Sequence, residues 1–239
     1  MPCFPEFKLY DASDFVVGCG EEFNLMLAAS GLDPRKIIPV GNPKFDTIPR
    51  RSATEDRNHV RARCGAKSGH IFFVATYLFA PWQQTVDSSS CPPTEDSPTR
   101  NLQIGDQPHP DEYQSNIEEE QFFGASIVMD VPLYALLNAI GIVFAGSSTV
   151  GSEAILFNEL LICINLTNTQ YAVRYDEEGI ALLVEREEEI LTTIDKVLHD
   201  KKLTRELQTA REHVQGVYAL GLDGRSSDRF GDAIKRVTS

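Results

Sequence analysis

A chain of 239 residues, 42% hydrophobic and 24% charged, is long enough for one large domain or for a domain plus part of another, and too apolar to be wholly disordered. Its formal net charge of −13 repels nucleic acid and anionic membrane, which argues against a basic-patch binder of either. Much of that charge lies in residues 80–121, where nine Asp or Glu stand against Arg100 alone, and reads as a solvated loop and helix face.

Cys3, Cys19, Cys64, Cys91 and Cys163 are odd in number and form no C-x-x-C pair, so neither a disulfide framework nor a zinc knuckle is expected. No apolar run approaches ~18 residues and no basic start leads into an apolar stretch. The expectation is a cytoplasmic protein without membrane insertion.

In chain order, Asp14–Gly18 reads as a strand, Glu21–Ser30 as a helix closed by Gly31, and Lys36–Val40 as a second strand. Pro39 suits an edge or a strand end. Residues 47–69 read as a linker with a short basic helix (Arg50, Arg51, Arg57, Arg61, Arg63, Lys67), either a solvated face or one turned to phosphate. His70–Tyr77 is a continuous apolar run, the pattern of a buried parallel strand. Residues 81–101, with Pro81, Pro92, Pro93 and Pro98, disfavour the helix that a parallel crossover ordinarily uses, and read as an irregular insert. Leu102–Ile104, Ser126–Met129, Ile142–Ala145, Leu160–Leu166 and Ala181–Val184 follow as strands. Pro132–Ala139 and a stretch through Glu153–Phe157 are short helices. Two amphipathic helices follow, on Ile190, Leu191, Ile194, Val197 and Leu198, and on Leu203, Leu207, Ala210, Val214 and Val217. A last helix capped by Ser226 or Ser227 runs through Val237. The alternation predicts an α/β fold with a mostly parallel sheet flanked by helices.

Chemistry concentrates at Gly146-Ser147-Ser148-Thr149-Val150-Gly151-Ser152-Glu153, a strand–turn–helix junction. Small residues let backbone approach a ligand, N–H groups at the helix start suit a phosphate, and Ser147, Ser148 and Thr149 add hydroxyls. Glu153 can accept from the vicinal hydroxyls of a ribose. An ordinary turn capping a buried helix, with Glu153 as a capping-box carboxylate, explains the same residues. His109, between Pro108 and Pro110, is either a restrained proton-transfer group or a loop histidine. Asp223-Gly224-Arg225-Ser226-Ser227 is a turn plus a helix cap, from which Arg225 can also reach a phosphate. Thr76-Tyr77 ends the first strand of the main sheet, a position that commonly faces a cleft. P-loop, G-x-S-x-G and H-E-x-x-H motifs are absent, and Gly18-Cys19-Gly20 lacks the third glycine of a dinucleotide fingerprint.

Taken in order, Val40-Gly41-Asn42-Pro43-Lys44-Phe45-Asp46, Pro108-His109-Pro110-Asp111-Glu112, Leu133–Ala139 with Ser147–Ala154, and Asp223–Arg229 resemble the GT-B superfamily. The nearest likenesses are UDP-N-acetylglucosamine 2-epimerase-like proteins, polysaccharide-biosynthesis glycosyltransferases and the CDP-glycerol glycerophosphotransferase group. The resemblance implies a Rossmann-like, nucleotide-sugar-binding C-terminal domain at 70–239, a linker at 51–69, and at 1–50 the tail of a first Rossmann-like domain. It further implies that Ser147, Ser148 and Thr149 hold a donor diphosphate, that Glu153 binds the ribose and that His109 lies near the reacting sugar; Thr76, Gly151 and Arg225 are read from their positions as further substrate-binding residues. Neither metal nor cofactor is called for. The expected partners are a UDP- or CDP-linked donor and, to complete the cleft, a missing N-terminal domain or a second copy. Epimerases of this kind carry Gly-Gly and two acidic residues at the turn, where this chain has Ser147-Ser148 and the single Glu153. The rival reading is a catalytically inactive remnant serving as an interaction module.

Overall fold

Val16–Gly18 (β1) and Ile37–Pro39 (β2) pair in parallel, Val16 opposite Ile37 and Gly18 opposite Pro39, with Glu21–Ala29 (α1) crossing between them. Pro39 ends its strand, where a missing N–H costs no ladder bond. Gly31, just past the helix, has φ +101°, a conformation that side chains resist. Val16, Leu27 and Leu32 form a small core, with Phe23 and Ile37 against it. The computed structural model describes residues 13–49, 56–66, 71–76, 102–107, 126–127, 131–146, 150–166, 175–218 and 222–238. By internal contacts the chain divides into two units, Met1–Ala53 with Glu212–Ser239, and Thr54–Arg211.

The second unit opens with Arg57–Arg63 (α2), followed by Ile71–Thr76 (β3), Leu102–Gln107 (β4) and Ser126–Ile127 (β5). Leu133–Ala139 (α3), Ile142–Ala145 (β6), Val150–Leu156 (α4), Leu160–Ile164 (β7) and Ala181–Val184 (β8) come next. Glu189–His199 (α5) and Lys201–Tyr218 (α6) lead to Ser226–Thr238 (α7). Asp200 separates α5 from α6, and its Oδ1 accepts the N–H groups of Lys202 and Leu203, both at 3.0 Å, as a helix cap.

β3 to β8 form one sheet in the order β5-β4-β3-β6-β7-β8, and every neighbouring pair is parallel. The first three strands step outward in one direction; the fourth returns to the other side of β3. This is the doubly wound order, and it leaves a topological switch point between β3 and β6. All four residues of β6 are buried, as expected of a parallel strand covered on both faces. Ile142, Phe144, Ile162, Ile164 and Val184 meet Ile194 and Val197 of α5 in the core.

Several strands are a residue or two shorter than the sequence pattern, such as Val16–Gly18 and Leu160–Ile164, and two other boundaries differ at the sheet's carboxyl edge. β4 runs on to Gln107 because Gly105, Asp106 and Gln107, poor strand formers, are registered against Val74, Ala75 and Thr76. α4 begins at Val150, which brings Gly151 and Ser152 into its first turn. The insert 81–101 lies outside the described residues. Among those residues no helix is long and apolar enough to cross a membrane.

Candidate functional site

The last matched pair of β3 and β6 is Thr76 opposite Ala145, so Thr76 and the turn beginning at Gly146 share the carboxyl edge of the sheet at its switch point. Open α/β sheets bind ligands there. Helices linking parallel strands run antiparallel to them, so the starts of α3 and α4 lie at this same edge. Tyr134 in α3 and Glu153 in α4 meet there: the Tyr134 hydroxyl donates to Glu153 Oε1 at 3.2 Å. Glu153 is only 2% exposed, whereas Tyr134 is half-buried. The Tyr134 ring stands edge-on to Phe157, with centroids 5.5 Å apart.

Gly151 owes its identity to a neighbour. A Cβ at this position would lie 2.6 Å from Cε2 and 3.0 Å from Cζ of Tyr175. Tyr175 is buried, and burial pushes its phenol up to about 12, offset only in part by hydrogen bonds from the Ser152 side chain and backbone. It therefore stays a neutral phenol at any physiological pH. Tyr134 lies in the quoted Leu133–Ala139 segment without a role assigned to it, and Tyr175 lies in none of the quoted motifs.

Of the residues expected at this site, Thr76, Gly151 and Glu153 belong to elements that end or begin at the switch-point edge. Ser147, Ser148, Thr149 and His109 lie outside the described residues. Arg225 belongs to the first unit, where its side chain is exposed beside Asp228 and its N–H donates to Asp223 Oδ1 at 3.0 Å.

The basic helix does structural work at the other edge. Arg57 donates to the Ile140 carbonyl at 2.8 Å and Arg61 to the Ala139 carbonyl at 3.2 Å. Both carbonyls end α3, where helices leave acceptors unpaired and cations are favoured. Glu159, which precedes β7, lies 3.7 Å from Arg57. Burial pushes the Glu159 carboxyl up to about 8, and Arg57 and Arg211 offset this only in part.

Two of the sequence motifs meet within the first unit. Asp46 accepts the N–H of Ser226 at 2.8 Å and that of Ser227 at 2.7 Å, capping α7 from a segment 180 residues away. The cap thus comes from Asp46, and Ser226 is the first residue of the helix. Partial burial raises the Asp46 carboxyl, but bonds from Ser227 and Ser226 outweigh it and hold the group at about 2. Arg229 donates to the Val40 carbonyl at 2.8 Å and pairs with Asp223 at 2.7 Å. Gly41, at φ +84°, passes so close to α7 that a Cβ would lie 2.6 Å from Ser226 Oγ. Asp46→Ala is expected to cost about 0.5–2 kcal/mol, the usual value of a cap, with Asp46→Asn retaining part of it. Thermal melts at neutral pH measure the loss, and it narrows as pH falls from about 4 toward about 2, where the native carboxylate is protonated.

Among the described residues no group of His, Cys, Asp and Glu is placed to hold a metal ion. No protein-family model matches the chain, and no curated protein does. Solved structures do. The wall teichoic acid polymerase TagF superposes with a TM-score of 0.69 at 12% identity, over 98% of this chain and 60% of that one. A UDP-N-acetylglucosamine 2-epimerase gives 0.62 at 15% identity over 92% and 57%. Anabaena HepE, solved with UDP and glucose, gives 0.53 at 12% identity over 98% and 65%. The chain has a GT-B-like fold, and it spans about 60% of the length of the teichoic acid polymerase.

Proposed function

We propose that the second unit binds a UDP- or CDP-linked sugar, as the donor half of a GT-B glycosyltransferase- or epimerase-like protein of carbohydrate or surface-polysaccharide biosynthesis. The observation that supports this reading is the sheet's switch point, where β6 ends at Ala145 opposite Thr76, the last residue of β3, and α4 with Gly151 and Glu153 begins soon after. Backbone N–H groups of the turn and the hydroxyls of Ser147, Ser148 and Thr149 hold the diphosphate, and Gly151 keeps the first turn of α4 clear of Tyr175. Glu153 serves the ribose, and Thr76 and His109 lie toward the sugar. These donors would stabilise negative charge as it develops on the departing diphosphate. A second Rossmann-like wall, from another domain or another copy, completes the cleft for turnover. Buried Cys64 and Cys163, held as thiols and not as disulfides, fit a reducing, cytoplasmic setting.

Calorimetric titration with UDP, CDP and their sugars tests the reading. At least one is expected to bind, and Glu153→Ala to weaken it about 10–100-fold, the effect of losing a hydrogen bond to a charged group. No heat with any of these ligands sinks the reading.

A further inference from the structure

We infer that two copies of this chain pair through the first unit, each laying the end of its α7 along an apolar groove on the other. Nucleotide binding plays no part in the pairing.

The groove lies on the open face of the β1–β2 sheet. α1 covers the other face, where Val16 packs with Leu27 and Leu32. Side chains alternate along a strand, so Phe15 and Val17 turn away from α1, and both are exposed. With Phe23 and with Phe230 of α7 they line a cavity of about 510 Å³. Parallel strands are ordinarily covered on both faces, so this one calls for a second layer.

α7 supplies the matching half. It rests on the unit through Ser226 and Ala233, which are buried. Phe230, Ile234 and Val237, spaced i, i+4 and i+7, form an adjoining stripe that stays 37%, 48% and 40% exposed. The charges match as well. Asp14 and Glu21 flank the groove on its β1 and α1 side, whereas Lys235 and Arg236 flank the stripe near the end of α7, and all four are exposed. Lys235 also holds Asp232 of its own helix at 3.2 Å. The chain's own α7 takes the side of the groove formed by Asn42 and Pro43, next to exposed Lys44, which leaves the acidic side to a second helix. An apolar groove with an acidic side and an apolar helix with a basic end are complementary, and one unit carries both. A two-fold axis therefore satisfies each half with its counterpart and closes the assembly at two copies.

Sedimentation velocity of the full chain at rising concentration tests the pairing. A species of twice the chain mass is expected, weakened by salt. Ile234→Glu, at an exposed position, should weaken it about 30-fold or more while circular dichroism keeps the native helix content. Arg236→Glu should weaken it about 3–10-fold, and Glu21→Arg added to that variant should restore it. If Ile234→Glu loses helix content, the charge exchange decides alone. A native chain still monomeric at about 100 μM overturns the inference. So does a dimer that a folded Ile234→Glu chain retains, because the contact then lies elsewhere. A double variant no tighter than Arg236→Glu alone overturns it too, since the helix end then does not meet the acidic side of the groove.

Discussion

Gly151→Ala is expected to lower the stability of the second unit by about 1–3 kcal/mol, the usual cost of forcing a methyl into filled space, and to weaken nucleotide binding at the same time. The new Cβ would sit 2.6 Å from Tyr175 Cε2, well inside contact distance. Tyr175 cannot easily yield. It is 3% exposed, Ser152 holds its hydroxyl, and its carbonyl accepts the N–H groups of Ile180 and Ala181 ahead of β8. The strain is therefore shared with α4, the helix that begins at the proposed phosphate turn. Stability and affinity should fall together, whereas a change confined to ligand contacts would lower affinity alone. Gly141→Ala is the control, because a Cβ there meets nothing within 4 Å. Urea unfolding followed by tyrosine fluorescence, paired with UDP titration, measures both quantities. A Gly151→Ala protein that melts with the native one would show that the ring shifts without cost.

The fold was legible where side-chain pattern and burial coincide. Ile142-Val143-Phe144-Ala145 is apolar throughout because β6 is covered on both faces, and the small residues after it mark the turn. The switch point was not legible: which strand returns to lie beside β3 depends on pairings between residues far apart, such as Thr76 with Ala145. The basic helix shows the same limit. A run of arginines looks like a solvated or phosphate-facing surface until Arg57 and Arg61 are seen closing the carbonyl end of α3. Asp46 and Ser226-Ser227 each stood out as part of a motif, but a cap spanning 180 residues leaves no local spacing to detect. At the candidate site, Glu153 stood out in sequence from its position after the turn. Tyr134 and Tyr175 did not, because a tyrosine shows no ligand or packing role in sequence until its hydroxyl acquires a partner.

Raising the pH from about 5 to about 8 is expected to weaken the second unit, and Glu159→Gln to remove most of that loss. The Glu159 carboxyl titrates near 4.5 when unperturbed and is pushed up to about 8 in the folded chain. Below 4.5 it is protonated in both states. Between the two values the unfolded chain releases a proton that the folded chain retains, so each step upward favours unfolding. The contribution is complete below the unfolded value and is lost as pH rises through the folded one. At about 1.4 kcal/mol per unit the loss is several kcal/mol at most, and Arg57, with 56% of its side chain exposed, moderates it through solvent. Glutamine has the same shape and does not titrate, so the variant should match the native protein near pH 5 and exceed it near pH 8. Arg57→Ala should steepen the native fall, since it removes the attraction that offsets burial and also strips the Ile140 carbonyl of its guanidinium. Asp46 acts with the opposite sign and in another window, stabilising above about 4 and losing that effect toward about 2. Urea midpoints at pH 5, 6, 7 and 8 for native and Glu159→Gln chains separate the two groups. A native midpoint that does not fall across this range, or falls equally in the variant, would place the titrating group elsewhere.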